Sequence, residues 1–261
     1  MVSIVIRNKN EAKALENTLS ILTKIYSEDI AEIILVDNRS TDDSVAIAEK
    51  FNCRIIYIDN FTYGRAINYG IEAAASKYIL LLSSHSIPIG KHFFKNAVAA
   101  ISASENYAGV RFINGIDNYN WAIRNGFKTK DPVNFGLLAA CCIVNKQVWE
   151  TYKFDETLLA VEDKEWSERV MKAGFEILDI NETFFYFINR GHKAWLKKYK
   201  IETIASSLLY GKNFASKPRI IASFFKKILI GCTVKYFRSL TAEYQALKTN
   251  LEINKAINKK R

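Results

Sequence analysis

Two kinds of position in this sequence carry residues able to do chemistry. The first is a set of apolar runs that each end on polar side chains. Arg7-Asn8 follow VSIVI, Asp37-Asn38 follow EIILV, Asp59-Asn60 follow CRIIYI, and Ser83-Ser84-His85 follow YILLL. In a nucleotide-handling α/β protein such strand ends often carry acidic residues that hold a metal, yet here two serines and a histidine stand at the fourth. The second is Glu162-Asp163, two adjacent carboxylates where a helix opens, with Trp166 one turn on. Backbone amides at a helix start stabilise negative charge.

The elements that must position these groups follow from periodicity. Val2–Ile6 reads as a short strand, and Glu11 to Ile25 as a helix with Ala14, Leu15, Leu19, Leu22 and Ile25 on one face. Glu32–Asp37 is a second strand, STDDSVAIAEKF a helix with capping side chains, Cys53–Asp59 a third strand, Gly64–Ala75 a helix and Tyr78–Leu82 a fourth strand. Such alternation predicts a parallel sheet with right-handed crossovers and helices on both faces. Ligands gather at the carboxyl ends of such strands, where the four polar ends form one edge. Beyond residue 90 a helix near Lys91–Ser102, a strand AGVRFI, a loop over 114–135, an apolar run Gly136–Val144 and the helix at Glu162-Asp163 read as the half that shapes a substrate pocket.

Composition bounds the class. The 261 residues are 49% hydrophobic, enough for a sizeable core, and 3 prolines and 11 glycines argue against long disordered stretches. The start runs straight into a strand, so no signal peptide is expected, and no run reaches the length of a membrane span. Cys53, Cys141, Cys142 and Cys232 lack metal-type spacing, which suits reduced thiols in the cytoplasm. Charge is uneven: residues 1–190 hold 21 Lys+Arg and 24 Asp+Glu, whereas residues 191–261 hold 16 and 3. The net charge of +10 therefore belongs to the C-terminal quarter.

Four blocks in register resemble the family 2 glycosyltransferases of GT-A fold: VSIVIRNKNEAKALENTLSIL, EIILVDNRSTDDS, GRAINYGIEAAASKYILLL and GLLAACCIVNKQVWETYKFDETLLAVEDKEWSERVMKAGFEI. The resemblance covers about residues 2–195. It implies a mostly parallel central sheet with flanking helices (1–90 the nucleotide-binding half, 91–192 the acceptor half) and leaves 193–261 as a basic helical extension.

The resemblance also implies roles. Asp37 would accept the N3–H of a pyrimidine, with a capping aspartate as the structural alternative. Arg7, in place of the family's usual proline, would stack on the base or reach a phosphate. Asn8, Asn38 and Asp59 would line the nucleoside pocket, and Asp59 equally suits a turn. Asp163, with Glu162, would be the general base of an inverting transfer, taking the acceptor hydroxyl's proton as the new C–O bond forms. Trp166 would stack on an acceptor sugar or pack in the core.

Ser83-Ser84-His85 replace the family's Asp-x-Asp, which holds Mg²⁺ or Mn²⁺ under the donor diphosphate. Three arrangements stay open. His85 binds a metal with donor phosphate oxygens; His85, Arg65 and His192 meet the diphosphate directly, Lys193 being the weaker candidate; or the protein only binds nucleotide sugars or scaffolds. A substituted but working site with reduced metal dependence is the expectation.

In the extension, Ile221, Phe224, Phe225, Ile228, Leu229, Cys232 and Tyr236 form one stripe, with Lys226 and Lys227 opposite and Lys235 at an edge. A basic amphipathic helix over 216–240 suits an anionic membrane surface, or packs on the catalytic domain with a solvated basic face. No recognised motif points to nucleic acid. The sequence thus reads as a cytoplasmic, membrane-peripheral, inverting glycosyltransferase acting on a saccharide, possible lipid linkage included, for surface polysaccharide. Apolar tail residues leave a homo-oligomer open.

Overall fold

The computed structural model describes residues 1–188, 191–211 and 213–258. It divides into two compact units, Met1–Leu209 and Tyr210–Arg261. The first carries a seven-stranded sheet. Its strands are β1 (Val2–Asn8), β2 (Ile30–Asp37), β3 (Arg54–Tyr57), β4 (Tyr78–Ser83), β6 (Tyr107–Phe112), β7 (Cys141–Asn145) and β8 (Glu176–Ile180). β5 (Ser86–Ile89) and β9 (Thr183–Tyr186) pair separately as an antiparallel ribbon. The order across the large sheet is β3-β2-β1-β4-β7-β6-β8. β7 pairs antiparallel with both β4 and β6, and every other pairing is parallel. The mixed α/β, mostly parallel sheet is the fold class that the sequence predicts.

Helices α1 (Ala12–Ile25), α2 (Ser44–Lys50) and α3 (Tyr63–Ala73) are the crossovers between β1, β2, β3 and β4. Successive residues of a strand point to opposite faces, so a strand apolar at every position feeds two cores. Ile4 and Ile6 of β1 join Leu15, Leu19 and Leu22 of α1 on one face. Val5, between them, joins Ile67 and Ile71 of α3 on the other. Cys141 and Cys142 divide between the two cores in the same way, as buried free thiols. Gly70 lets α3 lie on β1, because a Cβ there would collide with Val5 Cγ1.

The second half departs from the sequence reading in its details. The stretch expected as a loop over 114–135 contains α5 (Ile116–Arg124) and α6 (Pro132–Phe135), after α4 (Phe93–Ser102). Asp131 caps α6 through its carboxylate, and Pro132 occupies the first helical turn, where a missing N–H costs nothing. The apolar run from Gly136 becomes a strand only at Cys141. The third strand is Arg54–Tyr57, shorter than Cys53–Asp59, because Ile58 and Asp59 turn toward α3. Then follow α7 (Lys146–Thr151), α8 (Glu162–Lys172) and α9 (His192–Tyr210).

Asn68 of α3 locks the two halves together. Its Oδ1 accepts from Trp149 Nε1 (2.9 Å) and Phe154 N (3.0 Å), and its Nδ2 donates to Phe154 O (2.9 Å) and Glu156 Oε1 (3.0 Å). All four capacities of a buried amide are met. Asn68→Ala leaves at least three buried backbone or indole groups unpaired. Denaturant unfolding should show a loss on the order of 3 kcal/mol, as several orphaned groups at 1–3 kcal/mol each imply.

Candidate active site

The crossovers leave β1 to opposite sides, since β2 and β4 flank it, and in open α/β sheets such a reversal at the carboxyl ends of two strands is where ligands gather. Arg7 pairs in register with Ser83 there. β7 runs the other way, so its amino end meets the carboxyl end of β4: Ser83 N donates to Ala140 O at 2.9 Å. The start of α8 arrives at the same place.

Arg7 organises this junction. Its Nη2 donates to Ala139 O at 2.7 Å, its Nη1 lies 3.5 Å from Glu162 Oε1, and its guanidinium sits 5.6 Å from the centre of the Tyr63 ring. The side chain is only 10% exposed, so it faces inward to the protein. Ala139 turns its own N–H to Asp163 Oδ2 at 3.0 Å, leaving Oδ1 without a hydrogen-bond partner among the described residues. Asp163 is partly exposed whereas Glu162 is buried. Burial, with the Asp163 charge beside it, pushes the Glu162 carboxyl up to about 7 against the opposing pull of Arg7. Val161, just before this pair, holds φ 63°, a left-handed conformation costly for a β-branched residue.

The other predicted positions separate. Asp37 is fully buried: Oδ1 accepts from Asn8 Nδ2 (3.0 Å) and Ser40 Oγ (2.6 Å), and Oδ2 accepts from Ser40 N (2.8 Å). The carboxylate closes a turn on Ser40 and caps no helix, since α2 begins at Ser44 with Asp43 as its N-cap. Asn38, half-buried, donates its N–H to Asn8 O. Asp59 is exposed and paired with Arg39 (2.7 Å), which holds its carboxyl below the usual range. Arg65 donates to Glu156 Oε2 (2.9 Å) and Asn60 O (2.7 Å). His192 opens α9, is exposed, and stacks with Trp195. The first two residues of its NRGHKAW stretch lie outside the described residues.

Trp166 is a correction. It is fully buried, stacked on Phe154 with centroids 5.0 Å apart, and its Nε1 donates to Tyr152 O. Helical periodicity aims it at the core, out of reach of an acceptor sugar. Sequence reasoning also missed Lys164, whose Nζ donates to Gly136 O and Leu137 O, both at 2.9 Å, and whose pKa burial lowers. A cation directly after two carboxylates was its available signal. Ala139 acts through its backbone, which leaves no mark in residue type.

The residues at 83–85 do not fit a resident divalent cation. Ser84 is buried with its carbonyl accepting from Thr18 Oγ1, and the His85 ring stands edge-on to Tyr186 at 4.9 Å. Among the described residues no group of three or more His, Cys, Asp or Glu side chains could hold a metal.

Residues 3–199 match Glycosyl transferase family 2. No protein of curated description matches. Among solved structures, the fold is similar to mannosyltransferase PcManGT from Pyrobaculum calidifontis, solved with GDP-Man and Mn²⁺ (TM-score 0.64, 13% identity, 83% of this chain and 66% of that one). It is also similar to glucosyl-3-phosphoglycerate synthase from Mycobacterium tuberculosis with Mn²⁺, UDP and phosphoglyceric acid (0.61, 16%, 83% and 80%). A third is S. aureus TarS 1-349 with UDP-GlcNAc (0.56, 16%, 73% and 59%). The chain thus spans slightly less than two thirds of the mannosyltransferase and of the TarS fragment. At these identities the likeness is one of fold, and it agrees with the GT-A architecture.

Glu162 makes folding pH-dependent. A carboxyl whose pKa rises from 4.5 unfolded to about 7 folded holds its proton more tightly in the native state. Its contribution is therefore greatest below pH 4.5 and is lost as pH rises toward 7, by up to about 3 kcal/mol. Denaturation midpoints taken across that range should fall for the native chain, and the difference from Glu162→Gln should shrink toward acid.

Proposed function

Because this chain belongs to glycosyl transferase family 2, we propose that it moves a sugar from a nucleotide-sugar donor to a saccharide hydroxyl, with inversion at the anomeric carbon. One observation carries the reading. Asp163 presents one carboxylate oxygen at the sheet's switch point while Ala139 N fixes the other. In the reaction, Asp163 Oδ1 takes the acceptor hydroxyl's proton as its oxygen bonds to the anomeric carbon. The bond from that carbon to the diphosphate breaks on the opposite side, and the nucleoside diphosphate leaves with the electron pair.

The remaining residues divide the other tasks. Glu162, buried against Arg7, sets where Asp163 stands. Asn8, Asn38 and Asp59 border the nucleoside, with Asp37 holding the turn that carries Asn38. Arg65 supplies positive charge toward the diphosphate, and His192 a ring nitrogen. No step is assigned to a metal, since the donors at 83–85 do not fit one. The solved relatives carry GDP or UDP, so both purine and pyrimidine donors come into question. A lipid-linked acceptor and a part in polysaccharide synthesis extend this reading.

A second reading, a nucleotide-sugar-binding protein without turnover, is favoured by the Ser83-Ser84-His85 sequence. The two part in one experiment on the full chain. GDP, UDP, dTDP and CMP are screened for a rise in melting temperature, and the matching sugar donors for turnover with metal and with EDTA. Asp163→Asn, which keeps an acceptor for Ala139 N, should cut turnover by about 10²- to 10⁴-fold and leave the nucleotide-induced rise intact. Undiminished turnover in Asp163→Asn refutes the role of that residue, and stabilisation without turnover in the native chain gives the binding reading.

A further inference from the structure

The second unit, taken by itself, holds α10 (Lys217–Lys226), a π-helical segment (Lys227–Cys232) and α11 (Thr233–Asn258). Large apolar side chains stay exposed along it, from Ile220 and Phe225 to Leu247 and Leu251. Before the π segment, Ile221, Phe224, Phe225 and Ile228 share one face at helical spacing; after it, Tyr236, Leu240, Tyr244, Leu247 and Leu251 do the same. At the α pitch the eight residues from Ile228 to Tyr236 would leave the two stripes roughly 80° out of line. A π segment, bonded i to i+5, turns through fewer degrees per residue and removes most of that offset. Two half-stripes thereby become one apolar strip.

Charge identifies what covers the strip. Between residues 217 and 252 stand seven Lys or Arg and two Glu, with no Asp. Arg219, Lys226, Lys227, Lys235 and Arg238 project from the side away from the apolar strip. A second copy could cover the apolar strip but would leave the positive charge on the opposite face unmatched. A nucleic acid would meet the charge and leave the apolar strip in water. An anionic lipid surface suits both at once, because acyl chains take the apolar strip and the long basic side chains on the opposite face lie in the negative potential of the headgroup layer. No helix among the described residues is long and apolar enough to cross a membrane.

We propose that Lys217–Leu251 forms an amphipathic strip, kept in line by the π segment, that lies in the headgroup layer of an anionic bilayer. The inference stands apart from the transfer reaction, since none of its residues belongs to the candidate active site.

The test uses the full-length chain in sedimentation with two kinds of vesicle, phosphatidylcholine alone and phosphatidylcholine with a minority of phosphatidylglycerol. The chain should partition to the anionic vesicles and be released by high salt. Phe225→Asp with Ile228→Asp, and separately Lys226→Glu with Lys227→Glu, should each weaken partition by about thirtyfold or more, given roughly thirtyfold for two basic residues at the surface. Circular dichroism of each variant, and its melting shift with nucleotide, should match the native chain. Three results overturn the proposal: no partition at low salt, equal partition to neutral vesicles, or a dimer that the Asp variants dissociate while vesicle binding is absent.

Discussion

One buried cation holds the candidate active site together. Arg7 leaves the carboxyl end of β1 and spends its guanidinium on Ala139 O, 132 residues away in the chain, and on Glu162 at the start of α8. Burying a guanidinium is costly, and here the Ala139 carbonyl offsets part of that cost at any pH and the Glu162 carboxyl adds a full opposite charge only once it ionises. The Tyr63 ring covers one side and supplies a further attraction. The strands before residue 90 and the segments after it are thus joined at the point where the sheet's crossovers diverge. Without that cation Glu162 would be a buried carboxyl beside another carboxylate.

The consequence is a division between two adjacent acids. Glu162 is enclosed and holds its proton up to about neutral pH, while Asp163 is more open and keeps one oxygen unengaged among the described residues. Neighbouring carboxyls in unlike surroundings can take unlike roles, one positioning and one exchanging protons. Ala139 links them physically: its carbonyl faces Arg7 and its N–H faces Asp163. A displacement of Arg7 would therefore reach Asp163 through a single residue. The left-handed Val161 fits this picture, since packing on both sides fixes where the acid pair must begin.

The first half of the fold was legible because its information is local. Each of the first four strands is an apolar run with a helical pattern after it, and the runs' polar ends fall at the carboxyl ends of those strands. Asp37 and Ser40, three residues apart, carry the signature of a side-chain turn, and the structure shows that turn. The second half was less legible because its pairings are distant. Nothing in CCIVN says that it runs antiparallel between β4 and β6, and SIPI pairs with residues nearly a hundred positions later. Trp166 shows a different limit. One helical turn after a candidate base it could face a sugar or the core, and only the packed structure, with Phe154 against its ring, decides for the core.

The sequence resemblance sets Ser83-Ser84-His85 in the place of the family's metal-holding acids, and the turn's backbone contacts show how the fold accommodates them. Thr18 of α1 donates to Ser84 O, Phe187 N donates to His85 O, and Ser86 opens the ribbon with Tyr186. The turn is thus a joint between α1, β4 and the β5–β9 ribbon, held by backbone carbonyls that any residue type would present. The backbone bonds of the turn do not depend on residue type, whereas Ser84 and His85 are buried and the His85 ring packs on Tyr186. What the substitution changes is charge. Two acids would need a divalent cation to sit beside a diphosphate, whereas two hydroxyls and an imidazole bring no negative charge to it. Removing the acids removes the repulsion that the metal would otherwise have to cancel. Of the cations near the turn after β3, Arg65 is held by Glu156 Oε2 and Asn60 O, an ion pair that ties α3 to the segment between α7 and α8.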